Sequence, residues 1–454
     1  MCWSAPNARR ISHMSSSAPL KIAPLKIAIA GLGTVGAGVV KMLNANQALI
    51  AARCGRPIVV TAVSARDRSK DRGVSLEGLR WFDKAVDLAR DADADVIVEL
   101  IGGSEGDAKA VVEAALGRKR HVVTANKALL AYHGVALAKA AESAGLTLAF
   151  EAAVAGGIPI IKALREGLAG NTIHRITGIL NGTCNYILST MRATGRDFAD
   201  VLKEAQDLGY AEADPGFDID GVDAAHKLAL LTSVAFGVPV DIKSVHVEGI
   251  RHVSSIDIKY ADEFGYRIKL LGVAERLKDG AVMQRVYPCL ITPDSPLAAV
   301  EGVFNAVLAE GDFVGRSMYE GRGAGAGPTA SAVVADLMDI ASGRRGPTFG
   351  IPVESLKAMP AAPLDQHVGE YYVRLLVSDQ PGVFADIAGA FRDESVSMES
   401  VLQRGRNADA KVNVVIITHE AQEPAVLRAL KRLHANAALV EPPHMMRIEN
   451  QNRR

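Results

Sequence analysis

Leu25–Ala45 reads LKIAIAGLGTVGAGVVKMLNA, and this stretch decides the fold. A largely apolar, β-type run, Leu25–Ala30, leads directly into Gly31-Leu32-Gly33-Thr34-Val35-Gly36, and a helix-type stretch, Ala37–Ala45, follows at once. The spacing is GxGxxG, set between a strand and a helix. Gly31 allows the tight turn, Gly33 lets the main chain approach a pyrophosphate, and Gly36 lets the helix pack closely on the strand. The helix N-terminus adds N–H groups and the positive end of a dipole for the phosphate charge. A second strand-type run, Ile58–Val63, completes a dinucleotide-binding βαβ unit.

Beyond that second strand comes Ser64-Ala65-Arg66-Asp67-Arg68-Ser69-Lys70, where a chain of this kind meets the adenosine ribose. Arg66, with Arg68 and Lys70 beside it, suits a 2′-phosphate and so NADP(H); Asp67 leaves room for NAD(H), and a solvated basic loop is an equally open reading. Asp95–Ile101 (DVIVELI) and His121–Thr124 read as further buried strands on either side of a helix, Asp107–Leu116. Strands alternating with helices imply an α/β, doubly wound parallel sheet of the Rossmann type over residues 25–150. Thr124-Ala125-Asn126-Lys127 falls at a strand end on the ligand-binding edge, which makes Lys127 a site candidate.

From Glu151 the text changes. EAAVAGGIP (Glu151–Pro159) is apolar and glycine-rich, a helix is expected over Ile160–Glu166, a strand over Ile173–Leu180, and Asn181–Tyr186 (NGTCNY) is a loop into another helix. Leu208–Lys227 then reads LGYAEADPGFDIDGVDAAHK, with five carboxylates (Glu212, Asp214, Asp218, Asp220, Asp223) ahead of one lysine. The apolar periodicity after Gly221 predicts a helix whose first turn carries Asp223, so Asp223 and Lys227 share a face at i and i+4. An isolated pair of this kind is a surface ion pair contributing about 0.3–0.5 kcal/mol. Five crowded acids repel unless a cation neutralises them, which points instead to a pocket for an amine, with Lys227 polarising a carbonyl or moving a proton. Later alternating runs (Leu271–Glu275, Gln284–Leu290, Gly302–Leu308) predict a mixed or antiparallel sheet with helices on one face, and GRGAGAGPT (Gly321–Thr329) opens a small-residue helix, Ala330–Ile340.

With 454 residues the chain divides into several domains, and 51 basic against 51 acidic residues argues for neither a nucleic-acid nor a membrane-surface partner. The four cysteines (Cys2, Cys54, Cys184, Cys289) show no CxxC or CxxH spacing, so neither a disulfide framework nor a zinc site is indicated, and a reducing cytoplasm fits best. No apolar run reaches the roughly 20 residues of a membrane span. Residues 1–24 read as a disordered tail; they carry a tandem APLKI-APLKI that ends at Ile27, with Met14 as an alternative start. Ser342–Pro363, rich in proline, glycine and arginine, marks a linker that spans residues 346–370. Residues 371–449 repeat strand, helix, strand, strand, helix, strand at small size, as a separate module whose exposed sheet edges would pair with those of another subunit.

GLGTVG, TANK, EAAVAGGIP, NGTCNYI, GYAEADPGFDIDGVDAAHK and GRGAGAGPTASAV occur in the order found in homoserine dehydrogenases, which the chain resembles over nearly all of residues 25–449, including a C-terminal, ferredoxin-like ACT domain. The resemblance implies reversible reduction of L-aspartate 4-semialdehyde to L-homoserine with NAD(P)H, on the route to threonine and methionine. It further implies that Lys227 is the proton donor, that Lys127 reaches both substrate and nicotinamide, and that Asp223 and Asp218 shape the site. Glu212 would hold the substrate amine, with Gly182, Thr183 and Tyr210 lining the same pocket. Gly31, Gly33, Thr34, Val35, Gly36, Arg66, Lys127, Gly325 and Gly327 would hold the cofactor, residues 325–345 completing the nucleotide domain. Residues 151–324 would form the substrate-binding and dimerisation domain of a homodimer or homotetramer. Main-chain carbonyls of Glu151, Val154, Gly156 and Ile158 would bind a monovalent cation, usually sodium. The Asp379-Gln380-Pro381-Gly382 turn resembles the effector loop of ACT domains, which makes threonine the expected ligand at Asp379 and Gly382; a dimerisation module without a ligand is the alternative.

Two rival readings complete the set. Cys184 as a nucleophile would make a phosphorylating semialdehyde dehydrogenase that works through a thioester. An amino-acid sensor with a decayed enzyme half is the other, against which the intact Lys127, Glu212, Asp218, Asp223 and Lys227 speak.

Overall fold

The computed structural model describes residues 23–404, 411–435 and 437–450; the expected tail lies almost wholly outside them. The first sheet has six parallel strands: β1 (Leu25–Ala30), β2 (Ile58–Ser64), β3 (Arg80–Phe82), β4 (Val96–Glu99), β5 (His121–Thr124) and β6 (Leu148–Ala149), in the order β3-β2-β1-β4-β5-β6. This is the doubly wound order whose switch point lies between β1 and β4. The glycine turn sits there. Gly31 adopts φ +102° and donates its N–H to the Ser64 carbonyl at 3.0 Å, and a Cβ on it would lie 2.6 Å from the Leu100 carbonyl oxygen. A Cβ on Gly36 would lie 2.3 Å from the Gly31 carbonyl oxygen, so the helix Thr34–Ala45 can approach only because that position is bare. The helix Ala326–Ala341, far along the chain, packs against Thr34–Ala45 and places Val333, Val334 and Leu337 in the same core as Ile27, Ile29 and Val39.

The second sheet is larger than the sequence predicts. It contains β7 (Ile173–Ile179), β8 (Val245–Val247), β9 (Arg267–Arg276), β10 (Val282–Ile291), β11 (Phe304–Gly311) and β12 (Gly315–Arg322). The ACT strands β13 (Val368–Ser378), β14 (Met398–Arg404), β15 (Lys411–Thr418), β16 (Ala421–Gln422) and β17 (His444–Ile448) continue it. The main path runs β12-β11-β7-β9-β10-β17-β13-β15-β14, with β8 on β10 and β16 on β13. Apart from the two-residue β16, the ACT elements have the expected βαββαβ order, and their helices Val383–Asp393 and Glu423–His434 cover one face of the sheet.

The module is nevertheless not separate. β17 pairs in parallel with β10 (Cys289 opposite Arg447, Leu290 opposite Ile448), so one of the two edges expected to seek another subunit is closed within the chain. The other face of the ACT strands is also covered: Tyr372, Val415, Ile417 and Met446 share a core with Ile258, Tyr260 and Ala261 of the helix Ser255–Glu263. Burial of apolar surface explains the docking, and a buried charged network lies along the seam. Glu449, 5 % exposed, accepts from Arg285, Arg175 and the Tyr287 hydroxyl, while Arg447 is paired with Glu423 and Glu248. On the other side Asp257, which completes a capping box with Ser254, also accepts from Tyr372 Oη at 3.0 Å and from Arg374 Nε at 2.7 Å.

The segment read as a linker is likewise held down. Phe349 is buried against Phe150, the Thr348 and Val353 N–H groups donate to the Glu142 carboxylate, and Val282 exchanges main-chain hydrogen bonds with Pro360 and Ala362. The expected helix Ile160–Glu166 is a single α turn, Ile160–Lys162, followed by a wider π turn, Ala163–Gly167, closed by Leu168 N–H donating to the Ala163 carbonyl.

Candidate active site

A cleft of about 630 Å³ opens where the two sheets meet, at the C-terminal ends of β4 and β5. Five long helices begin at its wall, and Val35, Lys127, Gly182, Asp223 and Gly325 mark their first turns or caps. Their free N–H groups and dipoles make the cleft suited to anions. Tyr210, Glu212, Asp218, Asp223 and Lys227 enter it from the acid-rich segment.

Asp223 is the centre of this arrangement. It is 3 % exposed in the first turn of the helix Val222–Phe236 and touches two ammonium groups, Lys127 Nζ at 3.1 Å on one oxygen and Lys227 Nζ at 2.7 Å on the other. Burial alone would raise its pKa; the two lysines outweigh it and hold the carboxyl well below the usual carboxylate range. Lys227, itself buried, also donates to the Leu180 carbonyl at 2.8 Å. Burial and the neighbouring Asp223 push the Asp218 carboxyl up. Lys127 Nζ lies 5.5 Å from the Phe217 ring centroid, and Thr183 Oγ1 donates to the Tyr210 carbonyl at 2.7 Å.

Not every acid of the cluster faces the cleft. Asp220 turns away to form a bidentate pair with Arg251, and Asp214 accepts from the Gly216 N–H, so the amine pocket expected from five carboxylates is lined by Glu212, Asp218 and Asp223 alone. Gly31, Gly33, Thr34 and Gly36 form the turn behind Val35 without lining the cleft, and Gly327 lies just inside the helix that Gly325 caps. Arg66 is exposed just past β2. Of the residues expected to hold a cation, Val154 reaches the cleft wall; Glu151, Gly156 and Ile158 lie off it. The Glu151 carboxylate accepts from the Ile161 and Lys162 N–H groups, and the Ile158 carbonyl accepts from Ile160 N–H at 2.8 Å. Asp379 and Gly382 precede the first ACT helix and are not part of the cleft.

Residues 31–151 match the NAD-binding domain of homoserine dehydrogenase, residues 159–338 match homoserine dehydrogenase itself, and residues 371–435 match the ACT domain. The chain is 45 % identical over 426 residues to the homoserine dehydrogenase of Neisseria gonorrhoeae, covering 92 % of this chain and 97 % of that one. It is 44 % identical over 431 residues to that of Pseudomonas aeruginosa, covering 93 % and 98 %. The crystal structure of a homoserine dehydrogenase from Thiobacillus denitrificans superposes with a TM-score of 0.89 at 43 % identity, covering 94 % of this chain and 98 % of that one. The chain belongs to the homoserine dehydrogenase family. It is therefore an NAD(P)-dependent oxidoreductase with a C-terminal ACT domain.

Cys184 is not among the residues that line the cleft. Cys184 is fully buried, its Sγ 3.3 Å from the Asp218 carbonyl oxygen, and burial followed by the charge of Asp218 pushes the thiol well above its ordinary pKa. A thiolate there is disfavoured, which removes the thioester alternative.

Several residues shape the cleft and the glycine turn without having stood out in the sequence. Glu99, hidden in the apolar run DVIVELI, is fully buried at the end of β4; its carboxylate accepts from Ile101 and Gly102 N–H and from Thr124 Oγ1, which fixes the loop facing the cofactor turn. Asn126 caps the helix that starts at Lys127 by accepting from Leu129 N–H, and donates to the Gly103 carbonyl. Arg72 Nε donates to the Leu32 carbonyl in the glycine turn and stacks on Trp81. A polar residue at a strand end was the available signal for Glu99 and Asn126; Arg72 left none.

Proposed function

We propose that this chain reduces L-aspartate 4-semialdehyde to L-homoserine reversibly, with NADPH preferred over NADH, on the route to threonine and methionine in the cytoplasm. The observation that carries the reading is the Lys127–Asp223–Lys227 triad on the floor of a cleft shared by both sheets. Lys227 donates a proton to the carbonyl oxygen as negative charge develops on it, and Asp223 orients the lysine. Lys127, projecting from the nucleotide domain, meets substrate and nicotinamide together. Glu212 and Asp218 receive the substrate ammonium, and the N–H groups at Gly182 and Thr183 suit its carboxylate. Tyr210 closes the same side.

The cofactor's pyrophosphate would lie over the turn that bare Gly31 and Gly36 keep tight, at Gly33, where a Cβ would meet no protein atom within 4 Å. Gly33, Thr34, Val35, Gly325 and Gly327 would hold it, with Arg66 on the 2′-phosphate. When bound, the nicotinamide supplies the hydride. A hyperthermophilic archaeal homoserine dehydrogenase solved in complex with NADPH, 28 % identical with a TM-score of 0.60 over 70 % of this chain, supports NADPH as the partner. Main-chain oxygens of Glu151, Val154, Gly156 and Ile158, all but Gly157 of whose turn is buried, would hold sodium; neutral oxygen donors suit a hard monovalent ion. Among the described residues no cluster of His, Cys, Asp or Glu side chains competes as a metal site. Threonine would bind at Asp379 and Gly382 and inhibit by shifting a homodimer or homotetramer equilibrium.

Initial rates of semialdehyde reduction with NADPH and with NADH, each with and without threonine and sodium, test activity, cofactor, effector and cation together. Absence of NADPH oxidation with the semialdehyde would overturn the reading.

A further inference from the structure

Between the two carboxylates of the site stands an amide that neither composition nor spacing singled out. Asn181, 5 % exposed at the end of β7, lines the cleft. Its Nδ2 donates to Asp218 Oδ1 and to Asp223 Oδ2, both at 2.9 Å, and its Oδ1 accepts from Cys184 N–H at 2.9 Å as the cap of the helix Gly182–Thr194. The cap settles which way the amide faces: a main-chain N–H can meet only the oxygen, so both side-chain N–H groups must point at the acids. Both of its N–H groups and one lone pair of its oxygen are thereby used.

We infer that Asn181 is a positioning residue for the reaction, an amide clamp that holds Asp218 and Asp223 together so that one faces the substrate ammonium while the other stays with Lys227. Two carboxylates this close repel. Thr183 Oγ1 lies 3.3 Å from Asp218 with the Tyr210 carbonyl competing for its one proton, and Lys127 and Lys227 neutralise Asp223, but only Asn181 hydrogen-bonds to both acids among the described residues. Because the same side chain starts the helix that offers Gly182 and Thr183, the clamp also ties the ammonium site to the carboxylate site. The inference rests on the functional reading of Asp218, Asp223 and Lys227 given above.

Asn181→Ser separates the two jobs, since serine caps a helix about as well as asparagine but cannot reach two acids. Its melting temperature and NADPH affinity should stay near those of the parent. Its kcat/KM for the semialdehyde should fall on the order of 10- to 100-fold through lost hydrogen bonds to charged groups. The acid limb of its kcat/KM profile should also move to higher pH, because a carboxylate deprived of an N–H donor holds its proton longer. The other titratable groups facing the pair are Lys127, Lys227, Cys184, His226 and Glu212, and none is altered by this change. Asn181→Asp, which keeps the cap and adds a third acid, should lose more, most of all at alkaline pH. Parent-like kcat/KM and acid limb in Asn181→Ser, or a loss confined to thermal stability, would overturn the inference. Lys227→Ala run beside it separates the causes: if that variant is impaired while Asn181→Ser is not, only the clamp fails, and if neither is impaired the reading of the whole site fails with it.

Discussion

Lys227 Nζ donates to the main-chain carbonyl of Leu180 at 2.8 Å. With a second proton given to Asp223, an ammonium that has three to offer keeps one for the cleft, aimed by two fixed partners. Lys227→Ala should therefore lower kcat by about 10²- to 10⁴-fold while the fold and NADPH binding hold. Stopped-flow single turnovers would check this, and a chemical step of normal rate would remove Lys227 from its role.

Arg66→Ala probes the cofactor. The exposed guanidinium past β2 should matter only to a 2′-phosphate, so KM for NADPH should rise roughly tenfold and KM for NADH stay nearly constant. Equal changes for both cofactors would speak against a phosphate contact.

Glu449 links stability to pH. Burial would raise its pKa, but Arg285 and Arg175 outweigh burial and hold it well below its ordinary value of 4.5. A depressed folded-state pKa contributes stability that is fully present above the unfolded value and is lost as pH falls through the folded one. Glu449→Gln should thus cost about 3–5 kcal/mol at neutral pH by leaving buried arginines uncompensated, and the difference from the parent should shrink as pH falls below 4.5. Urea unfolding at pH 7 and at pH 4 would test this; a difference that does not shrink would count against the linkage.

The nucleotide half was legible because its determinants are local: a strand, a bare turn and a helix within Leu25–Ala45. The acid segment was legible in part. Spacing placed Asp223 and Lys227 on one face, yet it could not show that Asp220 is claimed by Arg251, 31 residues away. The fusion of the ACT strands to β10 was hidden for the same reason, since the pairing of Cys289 with Arg447 joins segments whose own patterns say only that each is a strand. A proline-rich run suggested freedom at 346–370, whereas Phe349 alone would have argued for burial.

Threonine binding is best tested by a point change, because excising the ACT strands would strip Glu449 from Arg285 and Tyr372 from Asp257. Gly382 has φ +96° and caps the helix Val383–Asp393. Gly382→Val should strain that turn, abolish the heat of threonine titration and the inhibition, and leave uninhibited turnover close to the parent. If the parent itself shows neither heat nor inhibition, the ACT domain serves assembly alone.

The seam between β10 and β17 also sets the order in which the chain can fold. Arg285 and Glu449 are separated by 164 positions and Arg175 and Glu449 by 274, so until the last strand leaves the ribosome these arginines have only the partners of their own sheet, Glu275 for Arg285 and Glu310 for Arg175. Contacts this distant in sequence make for slow, late closure. A ribosome stalled before β17 would leave Cys289 and Leu290 of β10 without their strand partner, next to the stretch Gln284–Val286 that β8 covers.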